Sequence, residues 1–326
     1  MEQRMKQLLL AVVMGLAMPA MALRLGPMPQ EETLPTVQTS QEAETALTVP
    51  VLTSDGAVQI QLETYVLGVV LAEMPASFET EALKAQAVAA RTVAMRSTLV
   101  AQRHTGGALC TDPDCCQAYM PEAEYLAQGG GRANLEKVRS AVDSTRDEVL
   151  TYKGELIEAV YFSCSGGLTE DAAVVWGNDI PYLQSVESGG EEEAEHYWAG
   201  KTFTAAQFAA ALGQSLPGSP GSWFGAVTYT PGGGVNTMVI GGQQYSGIRL
   251  RQLLDLNSTI FSVEVSGDTV TVFTRGKGHR VGMSQYGADA MAVGGSSCEE
   301  ILAHYYQGTE LRRLEIDESG ELRYSK

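Results

Sequence analysis

The strongest constraint on the fold is a hydrophobic segment that ends at a carboxylate. Apolar residues between Leu62 and Val70 recur at helical spacing, which predicts a helix from about Leu62 to Glu73. Pro75 disfavours the helical conformation of Met74, so this helix should end near Glu73. The carboxylate then lies at the negative end of the helix dipole among apolar neighbours, and both effects raise its pKa as a general acid requires. The alternative is a helix-terminal glutamate that points into water.

The following stretch, from about Thr80 to Arg103, predicts a buried central helix. It is rich in alanine and contains neither Gly nor Pro, so another backbone can approach it closely. Lys84 and Arg91 lie seven residues apart on one face of this helix. They are candidates for cations that line a polar cleft near Glu73, and extension of both side chains to the surface is the alternative.

A metal site is predicted where that helix ends. His104, Cys110 and Cys116 are spaced six residues apart in a loop that also holds Cys115. One imidazole and two thiolates suit tetrahedral zinc, with a further atom completing the shell. A disulfide among these cysteines is the alternative, and the adjacency of Cys115 to Cys116 leaves the ligand ambiguous.

Two further segments carry residues that could act on a substrate. A strand over 156–162 runs into a Ser/Gly-rich turn at 163–167, whose backbone N–H groups and Ser165 hydroxyl suit sugar hydroxyls or an oxyanion. Glycines surround His279 in the second segment, 276–286, whose spacing matches no dinucleotide or phosphate-loop fingerprint and so excludes a nucleotide cofactor. Cys164 and His279 together raise the alternative of a cysteine peptidase or amidase, although no Asn or Asp is obviously placed to orient the imidazole.

The helices and strands predicted around these motifs indicate an α+β protein with two lobes and a cleft between them. The first lobe contains the alanine-rich helix and a polar helix over 133–145, and the second is β-rich. The acidic stretch 189–195 is expected to be a solvated loop. The remaining predicted elements are strands at 49–51, 57–62, 148–152, 226–229, 237–240 and 243–246, a hairpin at 261–265 and 269–274, and helices at 204–212, from 247, at 285–291 and at 301–306.

The ends of the chain predict an exported protein. Basic residues precede an uncharged run over 8–23, which suits either a signal peptide or a membrane anchor. Residues 24–50 are expected to form a disordered tether, 51–316 the catalytic domain and 317–326 a tail. The net charge of −17 argues against nucleic acid as a partner but not against a neutral glycan.

Three motifs resemble the stage II sporulation protein D (SpoIID/LytB) family, in that family's order over about residues 50–316. They are GVVLAEMP at 68–75 with EALKAQAVAARTVAMR at 81–96, SCSGGLTE at 163–170 with WGN and PYL downstream, and GKGHRVGMSQYGA at 276–288. The resemblance implies a peptidoglycan lytic transglycosylase of forespore engulfment that cleaves MurNAc–GlcNAc bonds in strands stripped of stem peptides. It also implies a cell-wall amidase and a membrane scaffold as partners, and an extracytoplasmic location.

The resemblance assigns roles to individual residues. It implies Glu73 as the catalytic acid and base, so that no second carboxylate is needed, and glycan contacts from Lys84, Arg91, Tyr182, Ser165, His279 and Gln285. Some clostridial members hold zinc at a His and two Cys with the spacing seen here, which favours a structural zinc at His104, Cys110 and Cys116. Two positions depart from the family pattern, which favours Gly at Arg280 and Lys at Gln184. Arg280 is expected either to block a positive φ or to add a charge at the cleft rim. Because some relatives enhance an amidase, a non-catalytic glycan-binding activator is the alternative.

Overall fold

The computed structural model describes residues 47–53, 56–316 and 322–325. The predicted anchor or signal peptide at 1–23 and nearly all of the predicted tether lie outside these residues. The described residues form one compact unit. Its helices are α1 (Leu62–Glu73), α2 (Thr80–Leu99), α3 (Glu122–Ala127), α4 (Arg132–Ser144), α5 (Ala172–Trp176), α6 (Ala205–Leu212), α7 (Gly247–Leu254), α8 (Gln285–Val293) and α9 (Cys298–Tyr305).

The strands form several small sheets around these helices. They are β1 (Thr48–Thr53), β2 (Gly56–Gln61), β3 (Glu148–Tyr152), β4 (Glu155–Leu156), β5 (Tyr161–Phe162), β6 (Gly167–Leu168), β7 (Glu187–Ser188), β8 (Trp198–Thr204), β9 (Phe224–Tyr229), β10 (Val235–Ile240), β11 (Gln243–Ser246), β12 (Phe261–Ser266), β13 (Thr269–Arg275), β14 (Met283–Ser284), β15 (Glu310–Ile316) and β16 (Leu322–Ser325). The predicted α+β class is therefore confirmed.

The larger hydrophobic core surrounds α2. This helix packs against α1, α4, α8, α9 and β3, and its alanines at 82, 85, 87, 89, 90 and 94 are all buried. Their small side chains let these neighbours approach closely, as the sequence predicts. The helix ends at Leu99, four residues before the predicted end at Arg103.

A second hydrophobic core lies between two three-stranded antiparallel sheets and the helices α6 and α7. One sheet has the order β12–β13–β8 and the other has the order β11–β10–β9. Phe208 and Leu250 are fully buried at its centre. A parallel pairing of β14 with β5 and a bridge between Cys164 and Lys277 connect the segment around His279 to the turn at 163–167.

The elements also depart from the prediction elsewhere. The strand predicted over 156–162 is split into β4 and β5. The strand β8 was not predicted, and the C-terminal stretch expected as a tail contains β16, which pairs with β15. Within the part of the chain that is described, no helix is long and apolar enough to cross a membrane.

Candidate active site

Glu73 occupies the last position of α1. Met74 follows in an extended conformation (φ −126°, ψ 135°), as expected for a residue that precedes Pro75. The carboxyl is half-buried, and the Ala118 N–H donates to its Oε1 atom over 2.8 Å. Burial raises the pKa of Glu73, and the hydrogen bond from Ala118 offsets only part of that increase. The carboxyl therefore retains its proton to a higher pH than an exposed glutamate does, which suits a general acid.

Uncharged hydrogen-bonding groups surround this carboxyl. The Tyr161 hydroxyl donates to Gln117 Oε1 at 2.9 Å, and Gln117 Nε2 donates to the Tyr65 hydroxyl at 3.3 Å. Burial raises the pKa of both tyrosines, and the nearby negative charge of Glu73 raises them further. Both phenols therefore stay protonated and neutral beside Glu73 at physiological pH.

Gln285 reaches the same region from the first turn of α8. Its Nε2 atom donates to Gln86 Oε1 on α2 at 3.3 Å, and both side chains are buried. Gln86 Nε2 has no hydrogen-bond partner among the described residues. Since buried amide groups are nearly always satisfied, this fully buried N–H, which adjoins the Tyr161 hydroxyl, is a place for a buried water molecule.

Four potential metal ligands converge in the loop after α2. His104, Cys110, Cys115 and Cys116 place one ligand atom each within 4.8 Å of one another. All three of these cysteines are free thiols, so the disulfide alternative does not hold. Three thiolates and one imidazole form a donor set that fits tetrahedral zinc with no open position. Cys115 therefore joins the three predicted ligands instead of competing with Cys116.

The cluster belongs to the loop that contacts Glu73. Burial raises the pKa of Cys110, but hydrogen bonds from the Asp112 backbone, the other two thiols and His104 outweigh it and bring the value to about 7. A thiol that ionises near neutral pH is suited to bind a metal. Cys116 is followed directly by Gln117 and Ala118, so the cluster is two residues from the N–H group that binds Glu73.

Lys84 forms an ion pair within its own helix. Its Nζ atom lies 2.7 Å from a Glu81 carboxylate oxygen, and the other Glu81 oxygen accepts the Cys298 N–H at the start of α9. Lys84 therefore lies where α2 meets α9, and the structure records no hydrogen bond between it and Glu73 among the described residues.

Arg91 is placed in the core and not on a cleft wall, which corrects the expectation from the sequence. It is fully buried, and its Nε and Nη2 atoms donate to the two Glu63 oxygens at 2.9 and 2.6 Å. It also donates to the carbonyl groups of Val142 and Glu148. These bonds join α1, α2, α4 and β3, so the guanidinium supports the fold beneath the site.

Tyr182 is half-buried and bonded to the protein. Its hydroxyl accepts the Glu158 N–H at 3.0 Å, and its ring packs against Tyr152 with the centroids 5.4 Å apart. The nearby Gln184 side chain donates to the Ile180 carbonyl at 2.9 Å. Both side chains therefore stabilise the segment after α5.

Glu191 organises the turn at 163–167, although its acidic stretch was predicted to be solvated. The carboxylate is buried and accepts hydrogen bonds from both the backbone and the hydroxyl of Ser165 at 2.6 and 2.9 Å. Its other partners are the hydroxyls of Ser188 and Ser284, the Cys164 thiol and the Gly166 N–H. The prediction was wrong for Glu191 because charge composition alone does not show that hydroxyl and N–H donors from distant segments converge on one carboxylate. Ser165, also buried, uses its donors on Glu191.

His279 is a neutral and fully bonded imidazole. The Val281 N–H donates to Nδ1 at 3.1 Å, so the proton resides on Nε2, which donates to the Tyr161 carbonyl at 3.1 Å. The rings of Phe162 and Trp176 flank it. Burial, with a smaller contribution from the positive charge of Arg251, lowers its pKa to about 4. His279 therefore fixes the backbone next to Tyr161.

The arrangement lacks the features of a cysteine peptidase. Cys164 is buried, its thiol donates to Glu191 at 3.1 Å, and burial together with the negative charge of Glu191 raises its pKa. Since the His279 nitrogens are both used elsewhere, no nucleophile–base pair forms.

Comparison with known proteins identifies the family. A family described as "SpoIID: Stage II sporulation protein" matches residues 54–152. Stage II sporulation protein D of Bacillus subtilis (strain 168) is 47% identical over 257 residues, covering 77% of this chain and 74% of that protein. The chain belongs to the stage II sporulation protein D family. The protein of the same name from Bacillus amyloliquefaciens is 41% identical over 295 residues, covering 87% of this chain and 85% of that protein. An amidase enhancer of B. subtilis is 29% identical over 302 residues, covering 75% of this chain and 40% of that protein.

Arg280 shows how this SpoIID chain accommodates a departure from the family motif. The residue adopts the left-handed conformation itself, with φ at 69°, where Gly would be unstrained. Its guanidinium is fully buried and not at a rim, lies 3.6 Å from Glu170, and donates to the carbonyl groups of Ser165, Leu168 and Gly232. These bonds offset the backbone strain, which costs about 1–2 kcal/mol.

Sequence reasoning missed three contributors to this SpoIID site. Gln117 and Ala118 follow Cys116 directly, so their position beside the predicted metal cluster was the available signal. Gln86 lies five residues before Arg91 on the predicted central helix, but a buried glutamine on an alanine-rich helix carries no pattern of its own.

Proposed function

We propose that the protein is a lytic transglycosylase that cleaves MurNAc–GlcNAc bonds in glycan strands without stem peptides. The observation that carries the proposal is the half-buried Glu73 carboxyl with its raised pKa. Burial raises the pKa, the Ala118 N–H opposes part of that increase, and no second carboxylate among the described residues contributes to the shift. An acid without a partner carboxylate suits intramolecular ring closure better than the two-carboxylate mechanism of ordinary glycosidases.

In this mechanism Glu73 acts twice. Its proton passes to the glycosidic oxygen, the bond from that oxygen to C1 of MurNAc breaks, and the GlcNAc hydroxyl leaves. The Glu73 carboxylate then accepts the proton of the MurNAc C6 hydroxyl, whose oxygen bonds to C1 and forms the 1,6-anhydro ring. The proton balance is restored, and no water is consumed.

Other residues would support this step in different ways. Gln86, hydrogen-bonded to Gln285 and adjacent to Tyr161, has a buried Nε2 atom that would bind a polar atom of water or of a substrate. Lys84, Arg91, Ser165 and His279 are bonded to protein groups, so we assign them to support of the site instead of direct glycan contact. Tyr182 lies between these two cases, because it is half-buried with its hydroxyl already bonded.

We further propose that His104, Cys110, Cys115 and Cys116 bind a structural zinc ion. When bound, zinc would cross-link the loop that ends at Ala118. The support is the convergence of the four donor atoms within 4.8 Å. The loop then holds the N–H group that contacts Glu73.

Membership of the family supports a role in sporulation. We propose that the chain acts outside the cytoplasm at the septal cell wall during engulfment, with residues 1–23 serving as a membrane anchor or a signal peptide. A cell-wall amidase that removes stem peptides would supply its substrate.

Mass spectrometry of denuded glycan strands tests the proposed reaction. The wild type should generate 1,6-anhydro-muramyl ends, and Glu73→Gln should reduce their rate of formation by about 10²–10⁴-fold, as expected for loss of a general acid and base. Asp289→Asn is a matched control, since Asp289 also has a half-buried carboxyl with a raised pKa and one backbone donor, the Glu79 N–H. Reducing-end products instead would show hydrolysis, and equal rates for wild type and Glu73→Gln would exclude Glu73.

The second candidate is a glycan-binding activator of an amidase. It is favoured by the 29% identity to a protein named amidase enhancer. This candidate predicts that the wild type and Glu73→Gln both stimulate an added amidase equally and that neither forms anhydro ends.

A further inference from the structure

The outer face of the β12–β13–β8 sheet is exposed and carries two large aromatic side chains. In this antiparallel sheet Trp198 pairs with Arg275 and Gly200 with Phe273, so all four residues share one face. Trp198 is 65% exposed and Phe273 is 40% exposed. The opposite face packs on the second hydrophobic core through Val270 and Val272. The two aromatic rings on the outer face therefore do not pack in that core.

Arg275 lies beside the exposed indole ring of Trp198. Its guanidinium carbon lies 5.9 Å from the centre of the Trp198 ring. Arg275 is half-buried: its Nε atom is buried without a hydrogen-bond partner, and no ion pair of Arg275 occurs among the described residues. By contrast Lys201, on the same strand as Trp198, is paired with Asp255 at 2.8 Å. Arg275 therefore combines an uncommitted positive charge with an aromatic surface.

The rest of the face is polar and includes one exposed carboxylate, Glu264, which pairs with Thr271 at the far end of the face from Arg275. A Cβ atom on Gly200 would lie 3.3 Å from the Phe273 ring, so the ring lies across the position where a side chain would stand. The hydroxyls of Thr202 and Thr271 are hydrogen-bonded at 3.1 Å across the two strands. Flat rings with hydroxyl groups alongside suit sugar rings, which have apolar faces and polar edges.

This face is continuous with the segments that adjoin the candidate active site. The Gly276 N–H donates to the Tyr197 carbonyl at 2.8 Å, directly after the Trp198–Arg275 pair. Lys277 then pairs with Cys164, and the chain continues to His279, which bonds the Tyr161 backbone. The strand pair that carries Trp198 and Arg275 is therefore linked through the backbone to the segment that holds Tyr161.

The dimensions of the face favour a narrow ligand over a protein. A seven-residue strand is about 20 Å long, and three strands span about 10 Å between their outer axes. The resulting area of about 200 Å² is far below the roughly 800 Å² that each partner buries in a stable protein interface. A linear glycan fits this shape.

The positive charge on Arg275 indicates which glycan this face would bind. Removal of the stem peptide from MurNAc leaves a lactyl carboxylate on each muramyl residue, and guanidinium groups bind carboxylates with charge-assisted hydrogen bonds. We propose that the outer face of the β12–β13–β8 sheet is a second glycan-binding surface, on which Trp198 and Phe273 bind sugar rings and Arg275 binds the lactyl carboxylate of a denuded strand. This inference rests on the proposed function, because it assumes that peptidoglycan is the substrate.

Binding measurements with full-length protein test this proposal without any need for cleavage. Isothermal titration in the Glu73→Gln background would compare denuded peptidoglycan strands with chitohexaose, which has no carboxylate. Trp198→Ala should weaken binding of both probes by about tenfold, a typical effect for an exposed aromatic anchor. Arg275→Gln should weaken binding of the denuded strands by a similar factor and leave chitohexaose unchanged, while Arg275→Lys should restore part of the loss.

Two matched variants control for exposure and charge. Tyr229→Ala removes an aromatic side chain that is 61% exposed on another sheet, and Lys201→Gln removes a cation that is already paired. Neither should change the affinity for denuded strands. Near-ultraviolet circular dichroism would verify that each variant is folded.

Three results would overturn the proposal. Unchanged affinities in Trp198→Ala and Arg275→Gln would show that this face binds no glycan. Equal losses for both probes in Arg275→Gln would exclude recognition of the carboxylate. Unchanged glycan binding with loss of binding to a purified amidase would show that the face binds protein instead. Formation of anhydro ends is measured separately, so failure of the proposed reaction would not be confused with any of these results.

Discussion

His279 links the glycine-rich segment 276–286 to the stability of the folded state. Its two nitrogens are bonded to the Val281 N–H and the Tyr161 carbonyl, and burial lowers its pKa from 6.5 to about 4. In the unfolded chain the imidazole binds a proton near pH 6.5, whereas in the folded protein it does so only near pH 4. Its contribution to stability is therefore complete above pH 6.5 and is lost as the pH falls toward 4.

We predict that His279→Gln makes the free energy of unfolding less dependent on pH in this window. The wild type should lose about 3 kcal/mol more than the variant between pH 7 and pH 4, from the difference in the two pKa values. Urea denaturation at a series of pH values measures this difference, and other titrating groups cancel in the comparison. His196→Gln, at an exposed position, is the control. A constant difference between wild type and His279→Gln at all pH values would contradict the prediction.

Single residues also show what the sequence could and could not predict. The end of α1 at Glu73 and the upward shift of its pKa follow from Pro75 and from apolar neighbours within a few positions. The burial of Arg91 depends on Glu63, which is 28 positions away, and the burial of Glu191 depends on Ser284, which is 93 positions away. A charged residue can be assigned to a surface or a core only when its distant partner is known.

The loop between α2 and α3 connects the cluster of His104 and three cysteines to Glu73. Local spacing predicted three of the four residues of this cluster, because all of them lie within one short loop. The strand β8 was missed because its inward-facing positions include Lys201, which interrupts the expected alternation of polar and apolar residues. The strand predicted over 156–162 was too long, because Ile157 and Ala159 are buried but form no part of a strand.

We predict that the loop binds one zinc ion through four protein ligands. Elemental analysis should find one zinc per chain, and a chelator should lower the melting temperature by about 5 °C or more, because zinc stabilises the state that binds it. Loss of a residue that only hydrogen-bonds to a metal ligand weakens metal binding by roughly 10–100-fold. Cys115→Ser removes a ligand itself, so it should weaken zinc binding by more than this factor. Cys298→Ser, a buried cysteine outside the cluster, should leave the affinity unchanged. Unaltered zinc affinity in Cys115→Ser would indicate a shell with three protein ligands.

The whole molecule combines two hydrophobic cores with a large negative charge. One core surrounds α2 and supports Glu73, and the other supports the sheet that exposes Trp198. The chain carries a net charge of −17, so it repels a denuded glycan strand at long range even if Arg275 attracts a carboxylate at short range. The protein would therefore bind this polymer through local contacts and not through electrostatic steering.

This balance predicts an unusual dependence on salt. The Debye length falls from about 30 Å at 0.01 M to about 8 Å at 0.15 M ionic strength, so added salt screens the distributed repulsion more than the contact with Arg275. The affinity for denuded strands should rise or stay level across this range, whereas a basic groove would lose affinity. In Arg275→Gln the rise should be steeper, since only repulsion is left to screen, and chitohexaose should show no dependence in either protein. Titration of the Glu73→Gln protein with both probes at several salt concentrations measures this dependence. A steep loss of affinity for denuded strands with added salt would show that the glycan is held by attraction to the charge of the whole protein and not by local contacts.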